Sequence, residues 1–208
     1  MIPLAQAIAP VRAALLVIDI QNDFGAPGFA MAQAGMDLPP VEAAITRTEA
    51  LLAAARAAGV ACGFVRVVTR PETDTRALKR FMARQGMPEA MAICRHGTEG
   101  AAYYRVAPRA GDIEIEKTLY SAFVGTDLEA RLHAAGIETV VLCGLTTDCC
   151  VDSTARDAFH KDFDVFIARD ACAAFDSRTH ENALAILAAH SATPVSTDDI
   201  IAAWTPAP

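Results

Sequence analysis

Aliphatic residues fall in short unbroken runs separated by stretches of helical spacing, and this alternation organises the chain. Residues 13–20, AALLVIDI, suit a strand covered on both faces of a parallel sheet, with Asp19 near its carboxyl end. Residues 41–58 repeat small and aliphatic side chains at helical spacing and stop at Gly59. Residues 60–68 read as a second strand, which Thr69 to Pro71 breaks. Further along, the pattern predicts a strand at 113–117, a helix at 127–135 closed by Gly136, and a strand at 139–144. A helix at 148–161 follows, with Thr147 or Asp148 as N-cap, then a strand at 163–168, a helix at 178–190, a short strand at 193–196 and a closing helical turn at 197–204. Residues 72–111 carry no clear period. One or two helices fit there, Gly97, Gly100 and Pro108 mark loops, and the segment suits a lid or pocket element.

Strands alternating with helices over the whole length predict a three-layer α/β/α sandwich on a mostly parallel central sheet, Rossmann-like and joined by right-handed crossovers. No linker or repeat divides residues 1–208, so one domain is expected. Neither GxGxxG nor GxxxxGK[ST] occurs, which removes the nucleotide reading such a sheet invites. What remains is the rule that ligands bind beyond the carboxyl ends of the strands.

With 25 acidic against 18 basic residues, the net charge of −7 repels phosphate backbones and anionic membrane surfaces, so nucleic acid is not an expected partner. No apolar run approaches the ~20 residues that cross a bilayer, and the first residues lack the basic start of a signal peptide. A cytoplasmic protein is expected. The six cysteines sit in an apolar chain without the loop-rich composition of a disulfide scaffold and read as buried thiols. There is no CxxC or HExxH, and the five histidines never pair at short ligand spacing, so neither metal nor other cofactor is expected.

Three chemically useful groups stand at or near predicted strand ends: Asp19, Lys117 and the Cys149–Cys150 pair. A cysteine in the first turn after a strand meets free N–H groups and partial positive charge, which favour a thiolate and can cradle an oxyanion. Its ordinary alternative is a buried small hydrophobe. An acid ending an aliphatic strand is costly unless paired or used, and Lys117 repeats that pattern. Together the acid can take the thiol proton, and the ammonium can favour the thiolate and hold the carboxylate.

The segments Ala14-Leu-Leu-Val-Ile-Asp19-Ile-Gln-Asn-Asp-Phe24, Glu116-Lys117-Thr-Leu-Tyr-Ser-Ala-Phe123 and Gly144-Leu-Thr-Thr-Asp-Cys-Cys150-Val151, followed by Thr154-Ala-Arg-Asp-Ala158, resemble the isochorismatase-like cysteine hydrolase superfamily. The resemblance spans nearly the whole chain, including Asp170-Ala171 and His180 with Leu184. It selects Cys150, which precedes the valine, as nucleophile, with Asp19 and Lys117 as the other triad members. It also implies a cis peptide before Thr146 and an oxyanion hole made by the backbone N–H groups of Thr146 and Cys150.

Two departures narrow the implied chemistry. Nicotinamidases of the superfamily carry an Asp-x-His metal motif after the second strand, where this chain has Val65-Arg-Val-Val-Thr-Arg70-Pro71. Isochorismatases proper lack the nucleophilic cysteine. The segment around Cys150 looks most like the carbamoyl and ureido group, which implies hydrolysis of a small N-carbamoyl, ureido or primary amide compound. Asn22, Phe24, Phe29, Tyr120 and Phe123 flank the triad motifs as candidate substrate contacts, and Arg70 is the candidate for a substrate carboxylate. A maleamate-type or other aliphatic amidase with the same triad, a vicinal-thiol redox protein and an idle scaffold of the same fold stay open. Relatives usually assemble, so a homodimer or homotetramer is expected.

Overall fold

The computed structural model of the chain describes residues 2–205, apart from the side chains of Glu89 and Met91; Met1 and residues 206–208 of the expected domain lie outside the described residues. Six strands form its sheet: β1 (Ala13–Ile18), β2 (Ala61–Val67), β3 (Ile113–Lys117), β4 (Thr139–Leu145), β5 (Asp164–Ala173) and β6 (Thr193–Val195). Their order is β3-β2-β1-β4-β5-β6, and every pairing between them is parallel. The sheet is thus parallel throughout rather than mostly so. All residues of β1 and β4 are buried, which is why both read as unbroken aliphatic runs.

Strand order reverses once, between β1 and β4. The chain moves outward from β1 through β2 to β3, then returns to the other side of β1 and continues through β4, β5 and β6. Right-handed crossovers, the rule for parallel units, put helices on both faces of a sheet of this order. Three short helical turns, α1 (Leu4–Ala7), α2 (Asn22–Gly25) and α3 (Ala30–Gln33), precede the long α4 (Pro39–Ala58), which packs on β1, β2, β4 and β5. Gly59, at φ 72°, closes α4 in the left-handed conformation that glycine adopts without strain. α5 (Arg76–Arg84) lies in the segment the sequence left unread, with single turns at Pro88–Ala92 and Glu99–Ala101. α6 (Leu128–Ala134), α7 (Asp152–His160) and α8 (Ser177–His190) follow β3, β4 and β5, and α9 (Thr197–Trp204) returns to pack on α4.

Two elements differ from the sequence expectation. Residues 147–151 form one wide turn of π geometry before α7 begins, and Thr146 rather than Thr147 or Asp148 precedes it in extended conformation. β5 continues five residues past Ala168, because a register shift against β4 carries the polar Arg169-Asp170 pair through and re-pairs Cys172 with Gly144. Among the described residues no helix is long and apolar enough to cross a membrane.

Candidate active site

Strand order reverses between β1 and β4, and the region beyond the carboxyl ends of such a strand pair is where open parallel sheets bind ligands. The chain crosses closely there. Gly144 has φ 119°, and a Cβ on it would collide with the carbonyl oxygen of Ile18. Only glycine fits, and its fit lets the ends of β1 and β4 approach.

Asp19 follows β1 directly. Its φ of 50° is left-handed, a conformation aspartate tolerates better than most residues, while its N–H still donates to Val65 O at 2.8 Å. Lys117 ends β3. Its Nζ donates to Asp19 Oδ2 at 2.6 Å, to Leu119 O at 2.8 Å and toward Cys150 Sγ at 3.4 Å. Asp19 Oδ1 accepts the Val67 N–H at 2.8 Å. The three sequence candidates, drawn from the ends of β1, β3 and the turn after β4, therefore meet around one ammonium. All three are buried, with Cys150 the most accessible at 7%.

The charges in this cluster hold one another in place. Burial works against the Lys117 ammonium, but the Asp19 carboxylate and the Cys150 sulfur outweigh it and raise its pKa. Contact with the Cys149 sulfur, burial and the Asp19 carboxylate hold the proton on Cys150, against the pull of Lys117. These contacts push the Cys150 thiol up from its ordinary value, opposite in direction to the effect expected of a helical first turn. A carboxylate in the same cluster is a group that can serve such a thiol as base.

The turn carrying Cys150 is braced from behind. The Leu145–Thr146 peptide is cis, at the bond where the resemblance placed one. Thr147 is fully buried, and its Oγ1 lies 2.8 Å from His180 Nδ1 on α8. Burial lowers the pKa of His180, which leaves the ring neutral and able to accept the Thr147 hydroxyl proton.

The remaining candidates take up varied places. Tyr120 is 41% exposed and close enough to Cys149, Cys150 and Lys117 to feel their charges, and its hydroxyl pKa is raised chiefly by burial. Phe24 packs against Val67, Cys94 and Ala101, and the half-buried Phe29 precedes α3. Phe123 instead turns into the core, its ring 6.0 Å from that of Phe163 with Lys161 Nζ above it. Asn22 Nδ2 donates to Glu99 O at 2.8 Å and makes no bond to Asp19. Arg70 pairs with Glu116 at 3.4 Å, as does Arg66 at 2.6 Å, so Glu116 offsets part of the positive charge a substrate carboxylate would meet there. A cleft of about 420 Å³ lined by Arg66, His96, Glu99 and Glu116 includes none of Asp19, Lys117 and Cys150.

Sequence reasoning missed Gln21, which is fully buried and bound to Val67 beside Asp19. The only signal was an amide two residues beyond an acid at a strand end. Among the described residues no three His, Cys, Asp or Glu side chains converge to hold a metal ion.

A doubly wound parallel sheet that gathers an acid, an amine and a thiol at its switch point has the architecture of a hydrolase of the α/β class. Residues 13–199 match the isochorismatase domain, and the chain belongs to the isochorismatase family of hydrolases. It is 30% identical over 176 residues to the ureidoacrylate amidohydrolase RutB of Azorhizobium caulinodans, covering 79% of this chain and 78% of that protein. Its structure is similar to that of a cysteine hydrolase from Pseudomonas syringae pv. phaseolicola, with a TM-score of 0.83 at 25% identity over 95% of this chain and 94% of the other. The N-carbamoylsarcosine amidase of Thermoplasma acidophilum superposes with a TM-score of 0.72 at 27% identity, over 90% of this chain and 97% of that one.

Proposed function

We propose that the protein is a cysteine-dependent amidohydrolase that cleaves a C–N bond of a small N-carbamoyl, ureido or primary amide compound, with Cys150 as nucleophile. The observation that carries this reading is the position of Lys117 Nζ, 2.6 Å from Asp19 Oδ2 and 3.4 Å from Cys150 Sγ, in a buried cluster. Similarity to a ureidoacrylate amidohydrolase and to an N-carbamoylsarcosine amidase supports the ureido and carbamoyl class over other amides.

Asp19 takes the proton of Cys150 as the sulfur attacks the carbonyl carbon. The negative charge that develops on the carbonyl oxygen is received by the backbone N–H groups of Thr146 and Cys150. Asp19, now protonated, returns its proton to the departing amine, and the C–N bond breaks to leave a thioester on Cys150. Water, activated by the same carboxylate, hydrolyses the thioester and restores the thiol. For an N-carbamoyl substrate the released carbamic acid decomposes, so one substrate and one water give an amine, ammonia and carbon dioxide. Lys117 keeps its proton throughout, fixing Asp19 and offsetting negative charge on the sulfur.

The test is ammonia release from N-carbamoyl amino acids, ureidoacrylate, biuret, maleamate and nicotinamide, with Cys150→Ala and Cys149→Ala proteins alongside. Turnover with carbon dioxide, abolished by Cys150→Ala and retained by Cys149→Ala, is expected. Turnover that survives Cys150→Ala would sink the thioester mechanism, and turnover of maleamate alone, with ammonia and no carbon dioxide, would move the protein to the maleamate-type amidases.

A further inference from the structure

Gln21 lies two residues beyond Asp19, fully buried, and the chemistry above makes no use of it. Its amide has few capacities left. Nε2 donates to the carbonyls of Val67 and Ala101, each at 2.9 Å, and Oε1 accepts the Val67 N–H at 2.9 Å. These partners fix the amide's orientation, because a flip would set its oxygen against two carbonyl oxygens. The Val67 N–H is the same one that donates to Asp19 Oδ1 at 2.8 Å. That one N–H is shared between Asp19 Oδ1 and Gln21 Oε1, so Asp19 is gripped at Oδ2 by Lys117 and at Oδ1 by a bifurcated bond from Val67, whose carbonyl, one peptide further on, accepts from Gln21 Nε2.

The residues that follow continue the same task on a coarser scale. Asn22 Nδ2 donates to Glu99 O at 2.8 Å, and the Asp23 carboxylate accepts the Cys94 N–H at 2.6 Å. Three consecutive side chains after β1 thus lash the segment 94–101 to the sheet. Of these three, only Gln21 also binds the group that orients Asp19.

We infer that Gln21 is a positioning residue for the reaction: by holding the N–H and C=O of Val67 and the carbonyl of Ala101 together, it aims the Asp19 carboxylate at Lys117 and Cys150. This rests on the reading of Asp19 as the group that exchanges a proton with Cys150. A hydrogen bond from a fixed amide directs a carboxylate only as well as the amide is itself fixed, and displacement of a reacting group by about 1 Å can cost about 10²-fold in rate.

Gln21→Met keeps length and charge but offers no hydrogen bond. The expected result is a fall in kcat of about tenfold or more on the substrate found in the panel, with KM within about threefold of wild type. The pH profile of Cys150 alkylation by iodoacetamide, mapped by peptide mass, should also move by about half a pH unit or more. Thr69→Val is the comparison: it removes a part-buried bond from Thr69 Oγ1 to Ile93 O, which ties the residues after β2 to the start of the same loop without touching Asp19 or Gln21. It should lower Tm and leave the alkylation profile unchanged. A Gln21→Met protein that loses Tm alone, with kcat and profile as in wild type, would show Gln21 to be a structural strut and overturn the inference. Where Gln21→Met does not fold, the isosteric Gln21→Glu carries the test. A second carboxylate beside Asp19 should move the profile to higher pH, and an unmoved profile would count against the assignment. Asp19→Asn separates the two ideas. If it leaves Cys150 alkylation untouched, the acid–thiol reading itself fails. If it moves the profile and neither Gln21 variant does, only the role of Gln21 falls.

Discussion

Lys117 Nζ lies 2.6 Å from Asp19 Oδ2, with both side chains no more than 1% exposed. A pair so far from water gains little net stability from its own attraction, since two charges have been stripped of hydration to make it. Breaking it is another matter. Lys117→Met should strand a carboxylate in the interior and lower unfolding free energy by about 3–5 kcal/mol, read from urea titrations. A loss under about 1 kcal/mol would mean that Asp19 finds another partner or takes up a proton.

The Asp19 carboxylate is one of the groups that hold the proton on Cys150, while Lys117 opposes it. Asp19→Asn removes that negative charge and leaves the ammonium, so the thiol pKa should fall. Alkylation of Cys150 by iodoacetamide should then begin at lower pH than in wild type, even as amide hydrolysis is lost with the base. A shift toward higher pH would contradict this electrostatic picture.

His180 titrates below its ordinary value because burial disfavours its charged form. The unfolded chain then binds a proton more readily than the folded one, so stability is full above the unfolded imidazole value of about 6.5 and declines as pH falls below it. His180→Asn supplies an acceptor near the Thr147 hydroxyl without a titrating ring. Its stability between neutral pH and about pH 5 should fall less than that of wild type, measured by urea unfolding at each pH. Equal slopes for the two proteins would remove His180 from the account.

Gly144→Ala tests the crossing of β1 and β4. Because the added Cβ meets Ile18 backbone at a φ of 119°, no rotamer can relieve it. The substitution should cost more than about 4 kcal/mol or leave no soluble protein. Recovery of wild-type Tm would mean that the two strand ends can separate.

Much of this architecture is legible because β1 and β4 are covered on both faces, which removes polar residues from them and makes each a plain aliphatic run. Lys117 and Asp19 stand out for the same reason, as charges where such runs end. Residues 72–111 are opaque because distant partners hold them rather than a period of their own. The loop at Cys94 and Glu99 is tied by Asp23 and Asn22, and α5 buries no residue at all. The sequence pattern ends β5 at Ala168 because Arg169 and Asp170 look like a strand end. Asp170 instead accepts from Thr197 and Arg47, which lets the strand continue past it. The wide turn at 147–151 has no local signature, and Gln21 has none beyond its place two residues after Asp19, since its partners are 46 and 80 residues away.

The acid, the ammonium and the thiol depend from β1, β3 and the end of β4, while β2, wedged between β1 and β3, lends the cluster one backbone amide. Lys117 finds Asp19 across 98 residues and Cys150 across 33. No hairpin or adjacent strand pair contains the set, and each long loop must close before any of these contacts can form. Hydrolytic competence is in that sense a certificate of finished topology. While those loops are open the sulfur stands apart from the carboxylate and the ammonium, so under the proposed mechanism reactivity comes only with the closed fold.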